Sequence, residues 1–592
     1  MRVIQVMFDT LKRNYLTPYE MNDVYTPNFE RLAKKTVRFD NFFAGSLPCM
    51  PARRDLHTGR YNFLHRGWGP IEPFDDSMPE ILKQHGIYTH LVTDHKHYWR
   101  DGGATYHPRY SSYEFIRGQE GDSWKGMVNK PFQLKDLDKL GEEGASRKFT
   151  SMSQDFVNRT YMPEEKDHMM YRTFDAGLEF LQTNVDADDW FLQIESFDPH
   201  EPFFVPKKYL DMYDVTEDEF NGWLLYSYDD FSPEKIDIIK KYYKALITMC
   251  DVYLGKVLDF MDEHNMWEDT MLIVNTDHGL LLGEHEWWGK NIMPVYNEIA
   301  HLPFFIWYPQ LERKGEAVSQ LAQTIDIPAT ILDFFEIDLP KDMKGRPLRD
   351  IVESDQPIHD AVLFGYFGSN LNITDGEYVY MRAPVPEQEH VLKEYTLSPM
   401  RINRRFTLDE LKDAKLNDSF SFTKGIGVLE LPSQDIMAKN YQRFGHKLFN
   451  YQEDPQQLHA LLDAEKEFKM IEMMKRLLRE NEAPSSLYTY FGLDKINSVD
   501  DVKKEHDQFN KFKKAVCEDL SFCNSGAKEG YLTLYELLKD NEEQQNKLKE
   551  DLVKQNAEAI DCSSLIAWVQ KNIPSADQSF VLYQLNLSMR TS

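Results

Sequence analysis

The length, composition and charge of this chain exclude several classes of protein. With 592 residues, 42% of them hydrophobic and 13% aromatic, it has enough apolar material for a large folded core and is not a disordered chain. Its formal net charge of −29 disfavours binding to nucleic acid or to an anionic membrane surface, because both need clustered Lys and Arg facing phosphates.

Short apolar runs in the first half of the chain predict buried strands. They are RVIQVMF (2–8), IYTHLVT (87–93), DWFLQIESF (189–197), TMLIVNT (270–276) and LPFFIWYP (302–309). Amphipathic helical patterns lie between them, at 77–86, 171–184 and 234–265. This alternation predicts an α/β fold with a large, mostly parallel sheet.

Acids and imidazoles follow four of these predicted strands. They are Asp9, then Asp94 with His95, then Asp198 with His200, then Asp277 with His278. Open α/β sheets bind ligands just beyond the carboxyl ends of their strands. Any one of these residues could be an ordinary solvated loop residue, but four strand ends together favour one common site.

The character of the chain changes after about residue 355. The stretch at 360–384 alternates and contains turn signals, which predicts antiparallel strands. Asp454 and Pro455 predict the N-cap and first turn of a helix that ends near Glu480. We therefore expect an α/β part at 1–355, a smaller α+β subdomain at 356–465, and a helical extension at 466–592. That extension includes a charged helix at 536–560, which is interpreted as a solvated face.

The stretch SLPCMPARRDLHTGR (46–60) contains Cys49 followed by Arg53 and Arg54. A lone cysteine is usually a small buried hydrophobe. A second interpretation is a thiolate nucleophile whose pKa the two arginines lower. A third comes from resemblance: CMPAR followed by LHTGR resembles the C-x-P-x-R…TGR signature of the formylglycine-dependent sulfatases, in the alkaline-phosphatase-like superfamily.

Further segments resemble this family in the expected order. They are DPHEPF (198–203), VNTDHG (274–279), LGEHEWWGKN (282–291), TIDIPATILDFFEIDLPKDMKGRPL (324–348) and HKLFNYQEDPQQ (446–457). The resemblance covers roughly residues 1–465, with 99–185 as an insertion. It implies an alkaline-phosphatase-like sandwich: a large, mostly parallel central sheet flanked by helices, plus a smaller C-terminal α+β subdomain with an antiparallel sheet.

The resemblance also implies an activity. Such an enzyme hydrolyses a sulfate monoester, of a sulfated carbohydrate or an aryl alcohol, to the alcohol and inorganic sulfate. Cys49 would be converted to formylglycine by a maturation enzyme, and one hydroxyl of the hydrated aldehyde would attack sulfur. The second hydroxyl would then expel sulfate, a step that a plain serine or cysteine cannot perform.

The resemblance implies a metal site formed by Asp9, residue 49, Asp277 and His278. Oxygen ligands favour Ca²⁺ or Mg²⁺, and the imidazole leaves Mn²⁺ open. For Asp9 the alternative is a helix N-cap. Many members carry a second acid directly after the first, where this chain has Thr10. Phosphonate monoester hydrolases of the superfamily resemble the chain in this respect, so a phosphonate monoester or phosphodiester hydrolase is the alternative function.

Other site residues follow from the same matched segments. Arg53 is expected to bond the diol, and Arg54 either joins it or forms a salt bridge in the fold. Lys290 is expected to contact the sulfate and the leaving oxygen, unless it is an exposed lysine. His200 is expected to protonate the leaving alcohol, with a pKa near the unperturbed value of about 6.5, unless it is a loop histidine.

The segment VTDHKHYWRDGGATYH (92–107) departs from the family pattern. Either His95 or His97 is expected to act as the base near residue 49, and a zinc site formed by His95, His97 and His107 is a weaker alternative. Trp99, Trp287 and Trp288 are candidates to wall the substrate pocket by stacking, with plain packing as the alternative.

Partners and compartment complete the expectations. We expect a small sulfated substrate and a maturation enzyme, with homo-oligomerisation left open; a protein that keeps an unmodified cysteine and only binds anions is the non-enzymatic alternative. Five cysteines, odd in number and mostly far apart, favour free thiols in a reducing compartment. The first residues show no signal-peptide pattern, and no apolar run approaches the roughly 20 residues of a membrane span. These features predict a cytoplasmic protein.

Overall fold

The computed structural model describes residues 1–507 except 20, 130–141, 225, 229–230, 386–387 and 434–443, together with scattered residues between 534 and 573. Its strands are β1 (Arg2–Phe8), β2 (Val37–Phe39), β3 (Phe42–Phe43), β4 (Ser46–Leu47), β5 (Tyr88–Thr93), β6 (Ser112–Phe115), β7 (Trp190–Ser196), β8 (Ser227–Tyr228), β9 (Thr270–Thr276), β10 (Leu281–Leu282), β11 (Trp287–Gly289), β12 (Phe304–Trp307), β13 (Glu316–Val318), β14 (Ala322–Gln323), β15 (Val362–Tyr366), β16 (Leu371–Thr374), β17 (Tyr378–Arg382), β18 (Lys393–Thr396), β19 (Lys415–Asn417), β20 (Val428–Pro432) and β21 (Lys447–Asn450). Its helices are α1 (Pro27–Lys35), α2 (Cys49–Thr58), α3 (Met78–Gln84), α4 (Glu142–Arg159), α5 (Met169–Thr183), α6 (Lys207–Leu210), α7 (Pro233–Glu263), α8 (Asn297–Ala300), α9 (Asp326–Phe334), α10 (Arg349–Ser354), α11 (Leu408–Leu411), α12 (Ala464–Glu480) and α13 (Ser485–Tyr490).

Within the described residues, the largest sheet has eight strands in the order β13-β2-β12-β9-β1-β7-β5-β6. The central pairs β9-β1, β1-β7, β7-β5 and β5-β6 are parallel. Strand β12 runs antiparallel to both β9 and β2, so the sheet is mixed. Every residue of β1, β7 and β9 is buried, as expected for parallel strands covered on both faces.

Helices cover both faces of this sheet. Alternate residues of β1 face opposite sides: Val3 and Met7 belong to a core formed with α2, α3 and α9, whereas Ile4 and Phe8 belong to a core formed with α1, α5 and α7. The predicted α/β sandwich is confirmed.

Strand register aligns the ends that carry polar residues. Phe8 lies opposite both Ser196 of β7 and Thr276 of β9, and Thr93 of β5 lies opposite Glu195. Because these strands are parallel and their ends are aligned in register, the residues that follow them lie at one edge of the sheet.

The later part of the chain forms smaller sheets. One has the order β21-β17-β16-β15-β4, and its pairs from β21 to β15 are antiparallel, as predicted; another has the order β18-β20-β19. Strand β4 pairs with β15 although it directly precedes α2. The chain leading into Cys49 is therefore held against the C-terminal sheet.

Two predictions about the C-terminal third need comment. Helix α12 begins at Ala464, where the Asp463 side chain accepts hydrogen bonds from the N–H groups of Glu465 and Lys466, so the predicted start at Asp454 is wrong. The charged helix predicted for 536–560 lies mostly outside the described residues. No helix in the described ranges is both long enough and apolar enough to cross a bilayer.

Candidate metal centre and active site

Four buried metal donors meet at the carboxyl edge of the sheet. Asp9 follows β1, Asp277 and His278 follow β9, and Cys49 begins α2; one donor atom from each lies within 4.8 Å of the others. Cys49 Sγ is 3.2 Å from His278 Nε2 and 3.9 Å from Asp9 Oδ1. The structure thus brings together the four residues that the family resemblance assigned to a metal.

Helix α2 explains the spacing of the cysteine motif. Cys49 and Arg53 are four residues apart, so both side chains lie on the same helix face and reach the cluster. The helix ends at Gly59, whose φ of 61° is left-handed and suits glycine. The carbonyl of Gly59 accepts hydrogen bonds from the N–H groups of Lys344 and Gly345, which ties this end of the motif to the loop after α9.

Arg53 lies among carboxylates. Its Nη2 donates to Asp9 Oδ2 at 2.9 Å, its Nη1 to Asp277 Oδ2 at 2.7 Å and to the Cys49 carbonyl at 2.9 Å, and its Nε to Glu195 Oε1 at 2.8 Å. Burial alone would raise the pKa of Asp9, but the charge of Arg53 and a hydrogen bond with His95 hold that pKa well below its usual value. The donors of Arg53 are directed at these acids and at the Cys49 carbonyl, and its bond to the diol stays a prediction.

The two arginines of the motif do not produce a reactive thiolate. Burial, and next the charge of Asp9, raise the pKa of the Cys49 thiol well above its usual value. Arg54 points away and pairs with Asp75 through Nε at 2.7 Å and Nη2 at 2.9 Å. The structural alternative for Arg54 is the one that the structure shows. The raised pKa of the Cys49 thiol opposes the thiolate interpretation.

Lys290 is buried beside the donors rather than exposed. Only 2% of it is accessible, and its Nζ donates to Thr10 Oγ1 at 2.6 Å. Burial would lower the pKa of Lys290, but the charges of Glu201 and Asp9 raise it, so the ammonium stays protonated. Thr10 in turn donates to Asp9 Oδ1 at 2.6 Å, although its own φ of 65° is unusual for a β-branched residue.

His200 lies near Lys290 but is not an unperturbed imidazole. Its Nδ1 donates to the carbonyl of Glu201, and its ring stacks on Phe197 with a centroid distance of 4.1 Å. Burial and the charge of Lys290 lower the pKa of His200 well below its usual value. The prediction that His200 keeps a pKa near 6.5 is therefore wrong for the protein without substrate.

The structure separates the two histidines that the sequence left undecided. His95 is fully buried, with Nε2 at 3.4 Å from Asp9 Oδ2. His97 turns towards Asn403, at 3.1 Å, and packs on Trp68. Among the described residues the group able to hold a metal is the one containing Asp9, and no zinc site of His95, His97 and His107 is formed.

The tryptophans are engaged in packing. Trp288 is fully buried in the core on one side of the sheet, and Trp287 is 2% exposed in the other core. Trp99 donates from Nε1 to Asp122 at 2.9 Å and packs on Phe115. These contacts favour the packing alternative over a substrate wall.

Sequence reasoning missed two polar groups next to the donors. Glu195 holds Arg53 and also accepts hydrogen bonds from Tyr98 and Gln193, each at 3.0 Å. Gln119 donates to both Asp94, at 2.9 Å, and Asp198, at 3.2 Å. The available signal for Glu195 was a charged residue inside a predicted buried strand, since a buried charge requires partners.

A family model described as Sulfatase matches residues 2–337. The chain is 24% identical over 386 residues to Arylsulfatase of Clostridium perfringens, covering 59% of this chain and 78% of the relative. It is 23% identical over 410 residues to N-acetylglucosamine-6-O-sulfatase of Bacteroides thetaiotaomicron, covering 60% and 71%. A solved structure of a protein in complex with its substrate D-glucosamine-2-N,6-O-disulfate superposes with a TM-score of 0.57 at 14% identity, covering 82% and 99%, which supports the fold.

Proposed function

Because the chain belongs to the sulfatase family and is a sulfuric ester hydrolase, we propose that it acts on a small sulfated carbohydrate or aryl sulfate. The products are the alcohol and inorganic sulfate. The observation that carries this proposal is the cluster of Asp9, Cys49, Asp277 and His278. The carbohydrate sulfatase among the relatives supports a sugar as the alcohol.

The donors fit the divalent metal that the family implies. Two carboxylates supply hard oxygen ligands, and burial lowers the pKa of His278 to about 4, so its imidazole is neutral and able to ligate. The Cys49 thiol occupies the position where a formylglycine oxygen would complete the set. Ca²⁺ is our proposal for the ion, with Mg²⁺ and Mn²⁺ as the other candidates. When bound, the cation supplies a positive charge that attracts the ester and stabilises negative charge on oxygen.

Formylglycine made from Cys49 by a maturation enzyme is part of the proposal. The aldehyde supplies, when hydrated, two hydroxyls on one carbon, which the buried thiol lacks. A thiol with a raised pKa is a poor nucleophile, which favours a modified residue 49 over an unmodified cysteine as the nucleophile.

The protein's own side chains bind and orient the sulfate group. Lys290 presents a buried ammonium, whose attraction for an anion is strong where water is excluded. Arg53 holds Asp9 and Asp277 in place through charge-assisted hydrogen bonds. The charged groups around the bound sulfate, Lys290, Asp9 and Asp277, are therefore already in position before the ester binds.

Two histidines handle protons in this proposal. A bound sulfate ester places negative charge beside His200, which raises the pKa of its imidazole and lets it protonate the leaving oxygen. His95 is the base near residue 49, since it lies beside Asp9 whereas His97 turns away.

The test uses protein in which the state of residue 49 has been established by peptide mass spectrometry. We expect kcat/KM for 4-nitrophenyl sulfate to exceed that for phenyl phosphonates and bis-aryl phosphodiesters, and Cys49→Ala to be folded and inactive. A panel of sulfated saccharides then identifies the natural alcohol. A preference for phosphorus esters by about two decades, equivalent to roughly 2.7 kcal/mol, would overturn the sulfate assignment. An unmodified thiol in active protein from the native host would overturn the formylglycine mechanism.

A further inference from the structure

Glu195 is a buried acid to which the proposed chemistry gives no role. It lies on β7 and is inaccessible to solvent. Its Oε1 accepts a hydrogen bond from Arg53 Nε, and its Oε2 accepts one from Tyr98 Oη and one from Gln193 Nε2. Gln193 is itself fixed, because its Oε1 accepts from Tyr110 Oη at 2.6 Å. A network in which every member is satisfied holds its carboxylate in one orientation.

Glu195 matters because the guanidinium of Arg53, which it binds through Nε, also binds the proposed metal ligands through its two Nη groups. Arg53 donates to Asp9 and Asp277, the two carboxylates assigned to the cation, and Lys290 adds a second positive charge nearby. Lys290 has an acid of its own, since Glu201 Oε2 lies 3.9 Å from its Nζ. Without Glu195, the charge of Arg53 would therefore cancel that of one ligand carboxylate. The cluster would then attract a divalent cation more weakly in a low-dielectric interior.

We propose that Glu195 is a positioning residue that neutralises Arg53, so that Asp9 and Asp277 keep the negative charge needed to bind the divalent cation. This inference rests on the proposed function, which assigns those two acids to the metal. Glu195 also fixes the plane of the guanidinium through Nε, leaving both Nη groups aimed at the ligand carboxylates.

Calorimetric titration of CaCl₂ into the full chain, stripped of metal by a chelator, tests this role. Glu195→Gln removes the charge with little change in shape, and we expect its Kd for Ca²⁺ to rise by at least about tenfold, as for other groups that support metal ligands. Glu195→Asp keeps the charge and is expected to recover most of the affinity. Tyr98→Phe removes one neutral hydrogen bond to the same carboxylate, so its Kd should stay within about fivefold of the wild type.

A double variant covers the case in which Glu195→Gln does not fold. Glu195→Gln with Arg53→Met removes one charge of each sign, so the net charge of the cluster is unchanged. Because Arg53 also holds Asp9 and Asp277 in place, Kd should rise, but by less than about tenfold. Thermal melting without Ca²⁺ confirms that each variant is folded.

Several results would overturn the inference. They are a folded Glu195→Gln variant weakened by less than about tenfold, a Tyr98→Phe variant weakened as much as Glu195→Gln, or a double variant weakened by more than about tenfold. A wild-type chain that binds none of Ca²⁺, Mg²⁺ or Mn²⁺ would overturn the proposed cation site as well, which distinguishes the two failures.

Discussion

Thr10 offers a sharp test of how charge is arranged around the proposed sulfate site. Its hydroxyl accepts from Lys290 Nζ at 2.6 Å and donates to Asp9 Oδ1 at 2.6 Å. Thr10→Asp would place a carboxylate at this position. The left-handed backbone there, with φ of 65°, suits Asp or Asn better than a β-branched residue, so we expect both variants to fold.

The size of the effect follows from distances. A sulfate oxygen bonded to Lys290 Nζ lies about 5 Å from Thr10 Oγ1, since the Lys290–Thr10 contact is 2.6 Å and a charge-assisted hydrogen bond adds about 2.8 Å. At an effective dielectric constant of about 20, a new negative charge at that distance repels the sulfate by roughly 3 kcal/mol. This corresponds to a KM raised by about a hundredfold.

The assay measures KM and kcat for 4-nitrophenyl sulfate at saturating Ca²⁺, so that tighter metal binding by the added acid does not affect the result. Thr10→Asn is the matched control, because it has the same shape without the charge, and its KM should stay within about threefold of the wild type. If Thr10→Asp and Thr10→Asn share the same KM, the sulfate does not bind at Lys290 and the reasoning fails.

Three further predictions concern the stability and shape of the fold. Arg54→Met leaves the buried Asp75 carboxylate without its bidentate partner, and urea unfolding should show a loss of about 3–5 kcal/mol. Burial lowers the pKa of His65 to about 3, so between about pH 6.5 and 3 this side chain binds a proton in the unfolded chain but not in the folded one. The free energy of unfolding should therefore fall as pH decreases from about 6.5 towards 3. His65→Gln should reduce the slope of the unfolding free energy against pH by up to about 1.4 kcal/mol per pH unit. Gly279→Ala would place a Cβ 2.1 Å from a backbone carbonyl oxygen and displace the neighbouring His278, so both Tm and Ca²⁺ affinity should fall.

Each of these three predictions has a control measurement or a result that would contradict it. Lys34→Met removes an exposed ion pair and should change stability by less than about 0.5 kcal/mol; an equal effect in Arg54→Met would contradict the first prediction. Identical pH slopes in His65→Gln and the wild type would contradict the second. Gly126, whose Cβ would meet nothing within 4 Å, supplies a neutral Gly126→Ala control for the third.

The strand ends were predictable because local patterns determine them. The runs that form β1, β7 and β9 are mostly apolar and are followed by acids, which indicates buried parallel strands whose ends meet. The sequence pattern alone therefore predicts that Asp9 and Asp277 lie close together. The resemblance to a known family added Cys49 and the assignment of this group to a metal.

What remained hidden depends on contacts between distant residues. The lowered pKa of His200 arises from burial and from Lys290, which no local pattern reveals. The partnership of Glu195 with Arg53 joins positions 142 residues apart. The start of α12 was misplaced because Asp454 and Asp463 are equally good capping residues by sequence, and the actual cap is Asp463.

The pairing of β1 has a consequence for synthesis on the ribosome. Arg2 of β1 pairs with Trp190 of β7 and Thr270 of β9. Strand β1, which precedes Asp9, therefore cannot pair with both of these strands until at least 268 further residues have been made. At roughly 5–20 residues per second, that delay lasts on the order of 13 to 54 s. Cys49 is 2% accessible in the finished fold, and the group around it, which includes Asp277 and His278, is complete only after this interval. If an enzyme modifies this residue, as we propose, it would act on the growing or unfolded chain, before the fold encloses the thiol.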